Sequence, residues 1–458
     1  MYKTGIVWLS NDLRLTDNKL LADASRDCES LLVVYIRESA SLKPNRYGFR
    51  SLGKLRRKFI DECLSDLNRN LTSLGSELFL MEGSTLTCLQ TLIGQNRPDV
   101  FYCATQSGFY ENDIVQFIRR SYPELRLVES AHTALLDQTQ LPFLLADIPK
   151  SFTQFRKKVE PIILDSEFID TLKNNTPSSL PKQPQKPTLF SGNTVPFSAD
   201  LSFLNDASKT EPAIIFGGET HAQQYLKHYF SNNYASTYKQ TRNELDGIYH
   251  STKFSPWLSQ GCMSPKQILK TLVTFEQNHG ANESTYWIKF ELLWREYFFW
   301  LAKVLGKSLY LRGGYRHKNP LKSFYPQRLK SWCSGTTPYP LVNACMTELN
   351  TTGYLSNRGR QIVASCLVNE FDVDWRYGAA YFEQQLIDYD VASNWGNWQY
   401  IAGVGVDPRG GRHFDIDKQQ RLYDPENRYC KRWLGEHGSK YSNSAITDYV
   451  DAADWPLE

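Results

Sequence analysis

The sequence lacks the features that mark several common protein classes. None of its nine cysteines forms a C-x-x-C pair, and their number is odd, which argues against both a zinc site and a disulfide framework. No uninterrupted apolar run reaches membrane length, and the N-terminus leads directly into a strand pattern without a basic-then-apolar leader. These absences predict a cytoplasmic protein with reduced thiols.

An excess of charge is also missing from the chain as a whole. Its 52 basic and 49 acidic residues give a net charge of +3, which predicts no particular partner. Residues 297–347, however, contain no Asp or Glu, although basic residues are frequent there: Lys303, Lys307, Arg312, Arg316, Lys318, Lys322, Arg328 and Lys330. Such a run is typical of a phosphate-facing surface, and a solvated basic loop is the alternative.

Strand and helix patterns alternate over the first 130 residues or so. Such alternation predicts a doubly wound parallel sheet and an α/β fold class for this part of the chain. No G-x-G-x-x-G follows the first strand, so the usual dinucleotide fingerprint is absent. The predicted elements are strands at Gly5–Ser10, Leu31–Ile36, Glu77–Met81, Val100–Ala104 and Arg126–Glu129, and helices at Arg50–Leu74, near Ser84–Gln95 and from about Glu111.

The pattern changes after this region. Seven prolines fall between 161 and 212, where regular structure is unexpected. Beyond about residue 220 the periodicity is helical, and Ser284–Leu305 is the clearest helix, with Ser284 as candidate N-cap. We therefore predict an α/β domain at 1–135, an interdomain linker at 136–212 and an all-helical domain at 213–458, in a monomer or weak dimer.

Tryptophans are concentrated in the second half of the chain. Ten of the eleven lie beyond residue 256, several of them beside carboxylates, arginines and asparagines, most densely in Leu386–Tyr400. A buried indole is first of all a packing residue, so an aromatic core is one interpretation. Indoles mixed with ionisable and amide groups also suit a flat aromatic ligand, a stacked base or a path for single electrons.

Three groups of polar residues are candidates for chemistry. Glu291 and Arg295 lie i,i+4 on the predicted helix beside Trp294, either facing a cleft or forming an ordinary surface ion pair. The segment 357–361 carries two arginines that point in different directions on a helix, so that one could face a buried anion and the other a phosphate. Asn394 follows Asp390 by one turn, and an amide beside a redox ring can tune that ring.

These spacings resemble the photolyase/cryptochrome family, and most closely its cryptochrome DASH branch, over nearly the whole chain. The matching motifs are VWLSNDLRLTDN (Val7–Asn18), YKQTRN (Tyr238–Asn243), STKFSPWLSQGCMSP (Ser251–Pro265), FELLWREYF (Phe290–Phe298), TGYLSNRGRQIVAS (Thr352–Ser365) and the stretch Asp374–Arg409. The last two of these motifs are highly specific, because many polar positions match at fixed spacing.

The resemblance implies an antenna domain followed by a helical domain that binds FAD. Asp388 and Asp390 match the paired flavin-site acids, Arg360 the arginine that bridges the first of them, and Asn394 the partner of flavin N5. The other cofactor positions implied are Tyr238, Ser251, Thr252, Lys253, Phe254 and Ser255, near the phosphates and ribityl chain, and Arg295. A plain N-cap before Pro256 is the alternative for Ser251–Ser255.

The resemblance also implies a path for electrons. Trp398, Trp375 and Trp332 match the three tryptophans that connect the flavin to the surface. Because Trp332 occurs in the acid-free run, we expect it to be partly exposed. Three core tryptophans are the alternative.

The substrate that the resemblance implies is a cyclobutane pyrimidine dimer, flipped out of DNA. Glu291 matches the carboxyl that hydrogen-bonds the dimer, Trp294 the indole that packs on it, and Asn357 an amide contact; with Asn394 they form the expected catalytic set. Arg242 and Arg358 match contacts to the DNA backbone or the lesion.

Two positions depart from the pattern of double-strand photolyases. Gln361 and Tyr400 stand where methionine and a second tryptophan are common, and both are expected to face the DNA. A more polar, less complete stacking wall predicts a preference for single-stranded or loop DNA, in which no base pair must be broken.

For the antenna, the resemblance implies 5,10-methenyltetrahydrofolate, with Glu111 as the candidate contact. Two other functions stay open at this point: a blue-light photoreceptor with the same pocket but little repair, and a nucleic-acid-binding protein that uses FAD structurally.

Overall fold

The computed structural model describes residues 1–172, 175–183, 215–318, 320–406 and 410–438. The chain forms two compact units. The first comprises Met1–Arg242, Ile248–Lys307 and Ile387–Ser393, and the second comprises Asn243–Gly247, Ser308–Leu386 and Asn394–Glu458. The boundaries predicted at residues 135 and 212 stay predictions.

A parallel sheet forms the centre of the N-terminal region, as predicted. Its five strands have the order β3-β2-β1-β4-β5. The first strand lies in the middle, β2 and β3 are added on one side of it, and β4 and β5 are added on the other. All pairings are parallel, and Gly5 of β1 lies opposite Leu31 of β2 and Val100 of β4. The strands are β1 Tyr2–Leu9, β2 Cys28–Glu38, β3 Leu78–Gly83, β4 Val100–Ala104 and β5 Arg126–Ser130.

Four helices accompany this sheet: α1 Lys19–Asp27, α2 Lys54–Ser73, α3 Thr85–Asn96 and α4 Phe109–Ser121. The strand interiors are almost entirely apolar because helices cover both faces of a parallel sheet. Ile6, Trp8 and Val34 on the sheet pack with Leu89 of α3 and Val115 of α4 in one buried cluster. The predicted α/β architecture is therefore confirmed.

Helical structure extends further into the proline-rich region than predicted. Helix α5 spans Phe152–Leu164 and helix α6 spans Ser166–Thr171, so the expectation of irregular structure from residue 161 was wrong there. Pro161 lies inside α5. The apolar face of α5 is buried through Val159 and Ile163, which favours the helix over the loss of one backbone donor at proline. Residues 184–212 of the predicted linker lie outside the described residues.

The rest of the described chain is mostly helical, as predicted. The first unit contains α7 Glu219–Ser231, α8 Tyr238–Thr241, α9 Ser255–Gln260, α10 Pro265–His279 and α11 Glu283–Leu305. The second contains α12 Pro326–Ser334, α13 Pro340–Thr352, α14 Asn357–Ser365, α15 Trp375–Gln385, α17 Ile416–Tyr423 and α18 Arg428–Gly438, with a π-helical turn at Cys366–Glu370. Helix α16, Val391–Ile401, follows α15.

The start of α11 differs by two residues from the sequence-based expectation. Asn282, not Ser284, is the N-cap, because its side-chain oxygen accepts from the Ser284 and Thr285 backbone N–H groups. The Ser284 hydroxyl instead donates to Gln240 and accepts from the Lys239 backbone N–H. Ser284 thus connects α11 to α8.

Arg14 joins the loop after β1 to distant parts of the first unit. Its guanidinium is fully buried and donates to four backbone carbonyls: Thr16 at 3.0 Å, Asp17 at 2.8 Å, His132 at 3.0 Å and Gly261 at 2.9 Å. A buried charge is tolerated only when such partners replace its lost water. The turn after α9 is thereby held against the loop after β1.

Glycine is required at this contact. Gly261 has φ +68, and an added β-carbon would overlap the Asn11 carbonyl. The backbone of the same turn also meets the loop directly, since Leu13 N–H donates to the Gln260 carbonyl at 3.0 Å. The close approach therefore depends on both the absence of a side chain and the left-handed conformation.

Two buried glutamates make comparable connections within the first unit. Glu219, at the start of α7, accepts from the Leu15 and Thr16 backbone N–H groups at 2.7 and 2.8 Å. Glu296 of α11 accepts from the Leu135 backbone N–H at 2.7 Å. Burial raises the pKa of both carboxyls, and these hydrogen bonds oppose the shift.

Aromatic rings contribute to the core of the second unit. Trp398 lies against Trp332 at 6.1 Å between ring centroids and against Phe382 at 5.1 Å. Gly378 of α15 permits this packing, because an added β-carbon would overlap the Trp398 Cη2 atom.

We expect Arg14→Met to lower the free energy of unfolding by about 3–5 kcal/mol, because it leaves several buried carbonyls and nearby carboxylates without their cation. Denaturant titration measures the change. Arg69→Ala is the control, since Arg69 is 55% exposed and pairs with Asp66 at 3.4 Å, and we expect it to stay within about 0.5 kcal/mol of wild type. Equal effects of the two substitutions would contradict the role of Arg14.

Gly378→Ala should destabilise the protein by about 1–3 kcal/mol, because the methyl group displaces the Trp398 ring. Thermal unfolding and near-ultraviolet circular dichroism of the tryptophans measure this. Gly94→Ala in α3 is the matched control: an added β-carbon there meets nothing within 4 Å, so the change should be neutral or stabilising by up to about 1 kcal/mol.

Candidate functional site

Helix α11 brings the first group of candidate residues together. Glu291 pairs with Arg242, which follows α8, at 2.6 Å between Nη1 and Oε1. Arg295 donates instead to the Thr133 carbonyl at 2.8 Å. The i,i+4 spacing of Glu291 and Arg295 therefore does not produce an ion pair between them, because the residue after α8 and the loop after β5 supply a different partner for each.

The surroundings of Glu291 are partly open and partly apolar. Its side chain is 35% exposed, whereas that of Arg242 is 16% exposed. The guanidinium of Arg242 lies 4.9 Å from the ring centroid of Trp287, one turn before Glu291. Desolvation raises the pKa of the Glu291 carboxyl, and the neighbouring Arg242 acts in the opposite direction.

Trp294 is held in a fixed plane. Its indole stacks on Phe152 of α5 with 3.7 Å between ring centroids and 10° between planes. Phe298 lies 5.5 Å away on the same helix. A half-buried indole fixed in this way is suited to stacking on a flat partner.

The segment Ser251–Ser255 leads into α9 and reaches a candidate flavin-site acid. Ser255 Oγ donates to Asp388 Oδ2 at 2.6 Å, and Asp388 is buried. Lys253 adopts a left-handed conformation with φ +50, and Phe254 is buried against Tyr229. Hydroxyls, backbone N–H groups and a lysine in one turn form a donor set that fits the phosphates of a dinucleotide.

Tyr238 and Asp390 complete the candidate cofactor residues of the first unit. Tyr238 is buried in the short helix α8, below the guanidinium of Arg242 at 5.7 Å. Asp390 caps α16, since its Oδ1 accepts from the Ser393 backbone N–H at 2.7 Å. The two neighbouring acids therefore have different local partners.

Asn394 is the candidate flavin partner in the second unit. It is 8% exposed, and its amide Nδ2 donates to the Ala379 carbonyl at 3.0 Å. This bond fixes the orientation of the amide group and directs its oxygen as a hydrogen-bond acceptor. An amide oxygen of this kind fits the N–H of a reduced or half-reduced flavin.

The three candidate electron-transfer tryptophans lie in two aromatic clusters. Trp398 contacts Trp332, whereas Trp375 contacts Trp395 at 5.8 Å between centroids. Trp395 in turn donates its indole N–H to Glu383 at 3.3 Å.

The expected exposure of Trp332 was wrong. Its side chain is fully buried, and its indole N–H donates to the Val363 carbonyl at 2.9 Å. Trp332 lies on the inner face of α12, while its neighbour Lys330 is exposed. The basic residues of this run therefore indicate solvent exposure of the outer face of the helix only.

The arginines of α14 have different surroundings, as their spacing predicts. Arg358 donates to Asn243 Oδ1 at 3.2 Å and lies 4.7 Å from the Tyr423 ring. Arg360 donates to the Leu355 carbonyl at 2.8 Å. Its predicted pairing with Asp388 stays a prediction.

Three further candidates for DNA contact lie in the second unit. Asn357 is the exposed first residue of α14, and Gln361 is half-buried one turn later. The Tyr400 hydroxyl accepts from Arg412 Nη2 at 2.6 Å, and the guanidinium also lies over the ring at 5.2 Å.

Glu111 lies in the first turn of α4. Its carboxylate folds back over Gly108, where an added β-carbon would overlap it and reach Val391 Cγ1 at 3.3 Å. Desolvation raises the pKa of this carboxyl although the residue as a whole is exposed; Arg56 opposes the shift and Asp390 adds to it. The antenna candidate is thus electrostatically coupled to a candidate flavin-site acid.

The acid-free run is partly neutralised in three dimensions. Lys303 pairs with Glu129 at 3.6 Å, and Lys322 pairs with Asp372 at 2.5 Å. Acids that are distant in sequence thus pair with basic residues of this run. The phosphate-facing role of this run stays a prediction.

Sequence reasoning missed Trp287 and Arg412. Trp287 contacts Arg242, and Arg412 binds Tyr400. Trp287 precedes Glu291 by one helical turn, a spacing that could have placed it on the same face. Nothing in the sequence around Arg412 indicates its partner.

Two features are absent from the ranges that the structure describes. No helix there is long and apolar enough to cross a membrane. The same residues contain no group of three or more His, Cys, Asp or Glu side chains that could hold a metal ion.

Comparison with known families identifies two matching regions. Residues 5–177 match the family model described as DNA photolyase, and residues 287–454 match the FAD binding domain of DNA photolyase. The second match includes Glu291, Asn394 and Trp398, so these three residues lie within a flavin-binding domain of known type.

Individual relatives and solved structures agree with these matches. The chain is 46% identical to cryptochrome DASH of Idiomarina loihiensis over 100% of its own length and 97% of the relative's, and 46% identical to that of Vibrio parahaemolyticus over 99% and 97%. The crystal structure of a Synechocystis cryptochrome matches with a TM-score of 0.83 at 34% identity, covering 95% of this chain and 89% of that chain. A class III photolyase from Agrobacterium tumefaciens matches with a TM-score of 0.74 at 25% identity, over 95% and 87%. The chain therefore belongs to the photolyase/cryptochrome family, in its cryptochrome DASH branch.

Proposed function

We propose that this protein repairs cyclobutane pyrimidine dimers under blue light, preferentially in single-stranded or loop DNA. It would act as a photolyase-type carbon–carbon lyase. The observation that carries the proposal is the arrangement on α11: a partly open carboxyl at Glu291 and a fixed indole at Trp294, with Arg242 adjacent. A flipped pyrimidine dimer requires hydrogen bonding, stacking and a cation for its phosphate.

FAD is the cofactor for which the donor set fits. The residues that would hold it are Tyr238, Ser251, Thr252, Lys253, Phe254, Ser255, Arg295, Arg360, Asp388, Asp390 and Asn394. Bound in its reduced form, FAD would supply the light-driven electron transfer by which the dimer is split. The Ala379 carbonyl holds the Asn394 amide in one orientation, which supports its role beside the flavin.

The protein side chains hold the substrate. Glu291 would hydrogen-bond a base carbonyl, Trp294 would stack on the dimer, and Asn357 would add an amide contact. Arg242 and Arg358 would bind phosphates. The stacking of Trp294 on Phe152 restricts rotation of the indole, which supports this role.

The preference for unpaired DNA rests on Gln361 and Tyr400. Both are polar, and Tyr400 already binds Arg412. A stacking surface made of these two polar residues would gain less binding free energy from a flipped lesion than one made of two indoles and a methionine. Single-stranded DNA avoids the cost of breaking base pairs.

Two further roles follow from the same resemblance. Trp398, Trp375 and Trp332 would conduct electrons towards oxidised flavin, and Glu111 would contact 5,10-methenyltetrahydrofolate as antenna. Support for the first is the contact of Trp398 with Trp332, and support for the second is the position of Glu111 at the start of α4, where desolvation raises the pKa of its carboxyl.

A blue-light photoreceptor with little repair is the second candidate. It is favoured by the two relatives at 46% identity described above, which are named cryptochromes. This function would keep flavin binding and light-driven reduction, and it would not require Glu291 and Trp294 to engage a lesion.

Repair assays distinguish the two functions. Under blue light and reductant, we expect dimers in a single-stranded oligonucleotide to be split at least about tenfold more efficiently than those in the matching duplex, because flipping costs a few kcal/mol in the duplex. Dimer loss is measured by chromatography against a dark control. Photoreduction of bound flavin without dimer loss on either substrate would favour the photoreceptor.

Trp398→Phe should largely abolish light-driven reduction of oxidised FAD while FAD remains bound, because phenylalanine is not readily oxidised. Absorption spectra during illumination measure the rate, and the flavin-to-protein ratio is the internal control. Trp300→Phe is the matched variant, because Trp300 is a fully buried tryptophan outside the two aromatic clusters. Its bound flavin should be reduced at the wild-type rate. An unchanged rate in Trp398→Phe would refute its role as first donor.

A further inference from the structure

Glu291 must carry a proton if its carboxyl is to donate a hydrogen bond to a carbonyl of the lesion. Its Oε1 lies 2.6 Å from Arg242 Nη1, and a carboxylate in such a pair only accepts hydrogen bonds. The carbonyl oxygens of a pyrimidine dimer are also acceptors. In the ion-paired state Glu291 therefore has no hydrogen to offer a lesion carbonyl.

Arg242 is placed so that it can exchange one anion for another. Its guanidinium contacts the rings of Trp287 at 4.9 Å and Tyr238 at 5.7 Å, and neither contact requires Glu291. The side chain is 16% exposed, so an incoming anion can reach it. Guanidinium groups bind phosphate in a bidentate manner, which competes well with a single carboxylate contact.

Other charges on the neighbouring elements are already paired. Lys239 on α8 pairs with Glu283, Lys289 on α11 pairs with Glu276 of α10 at 2.6 Å, and Arg156 on α5 pairs with Glu160 at 3.8 Å. Arg295 donates to the Thr133 carbonyl. Within the described part of the chain, Arg242 is the charged group that acts on the Glu291 carboxyl.

We propose that Arg242 is a positioning residue that couples phosphate binding to the protonation of Glu291. A DNA phosphate beside the lesion takes the guanidinium from the carboxylate, Glu291 takes up one proton from solvent, and the neutral carboxyl donates its hydrogen to a carbonyl of the dimer. The inference deepens the proposed repair function and rests on it.

The direction of the proton exchange follows from the local energetics. Desolvation is the largest influence on Glu291 and raises the pKa of its carboxyl, while Arg242 counteracts it. Withdrawal of Arg242 and coverage by DNA both raise that pKa further. The pKa is therefore higher in the complex than in the free protein, and binding takes up a proton.

The sign of the pH dependence is then fixed. The contribution to affinity is complete below the pKa of Glu291 in the free protein. It declines as pH rises and is lost once pH exceeds the pKa in the complex.

Titration calorimetry in the dark tests this without any flavin chemistry. A dimer-containing single-stranded oligonucleotide is titrated into the protein in buffers of different ionisation enthalpy. We expect an uptake that approaches about one proton per bound oligonucleotide in the pH range between the two pKa values. The undamaged oligonucleotide is the control and should show much less uptake. Glu291→Gln should remove the uptake and keep the lesion preference, because the amide is a permanent donor.

Variants at Arg242 separate its positioning role from simple phosphate binding. Arg242→Gln should weaken binding about tenfold or more and also remove the uptake, because loss of the cation raises the pKa of Glu291 in the free protein towards its pKa in the complex. Arg242→Lys should restore the uptake, since lysine can pair with either anion. Lys239→Gln, which breaks the adjacent Lys239–Glu283 pair, is the matched control and should leave the uptake unchanged. Difference infrared spectra should show a protonated carboxyl band on binding that is absent from Glu291→Gln.

The outcomes are distinguishable. Preferential binding of the dimer without proton uptake, or with uptake that persists in Arg242→Gln, overturns this inference and leaves the repair function intact. Equal binding of damaged and undamaged DNA overturns the repair function and the inference with it.

Discussion

The desolvation of charge is the constraint on which this structure depends. Arg14 is fully buried, and four backbone carbonyls replace its hydration. Because one of those carbonyls belongs to Gly261, the turn after α9 is fixed against the loop after β1. Glu219 and Glu296 are satisfied in the same way by backbone N–H groups. Each of these charges therefore favours a particular loop arrangement, since losing its partners would leave a buried charge uncompensated.

The candidate site also contains desolvated carboxyls, but their partners replace the lost hydration less completely. Asp388 receives a hydroxyl from Ser255, whereas Glu291 has one strong cationic partner and a partly open side chain. A carboxyl that is desolvated yet reachable can change its protonation state when a ligand arrives, which a fully satisfied one such as Glu296 does not need to do. This difference separates carboxyls that hold the fold from those that can take part in binding.

Much of the fold was predictable because its signals are local. The strand Val100–Ala104 was predicted with its observed bounds, and α11 was recognised from its periodicity. The errors have identifiable causes. Asn282 caps α11 because Ser284 is engaged by α8, and Pro161 lies within α5 because the apolar face of that helix is buried. In both cases a tertiary contact outweighed a local preference.

The sequence by itself determined the α/β and helical regions, the family, and the identity of the side chains available for chemistry, because hydrophobic periodicity and motif spacing are properties of the chain alone. Only the tertiary structure decided which of those side chains meet. It paired Glu291 with Arg242 instead of Arg295, buried Trp332 completely, and brought Asp372 to Lys322 within a run that has no acid in sequence. Partners distant in the chain cannot be read from spacing, since the packing of separate elements brings them together.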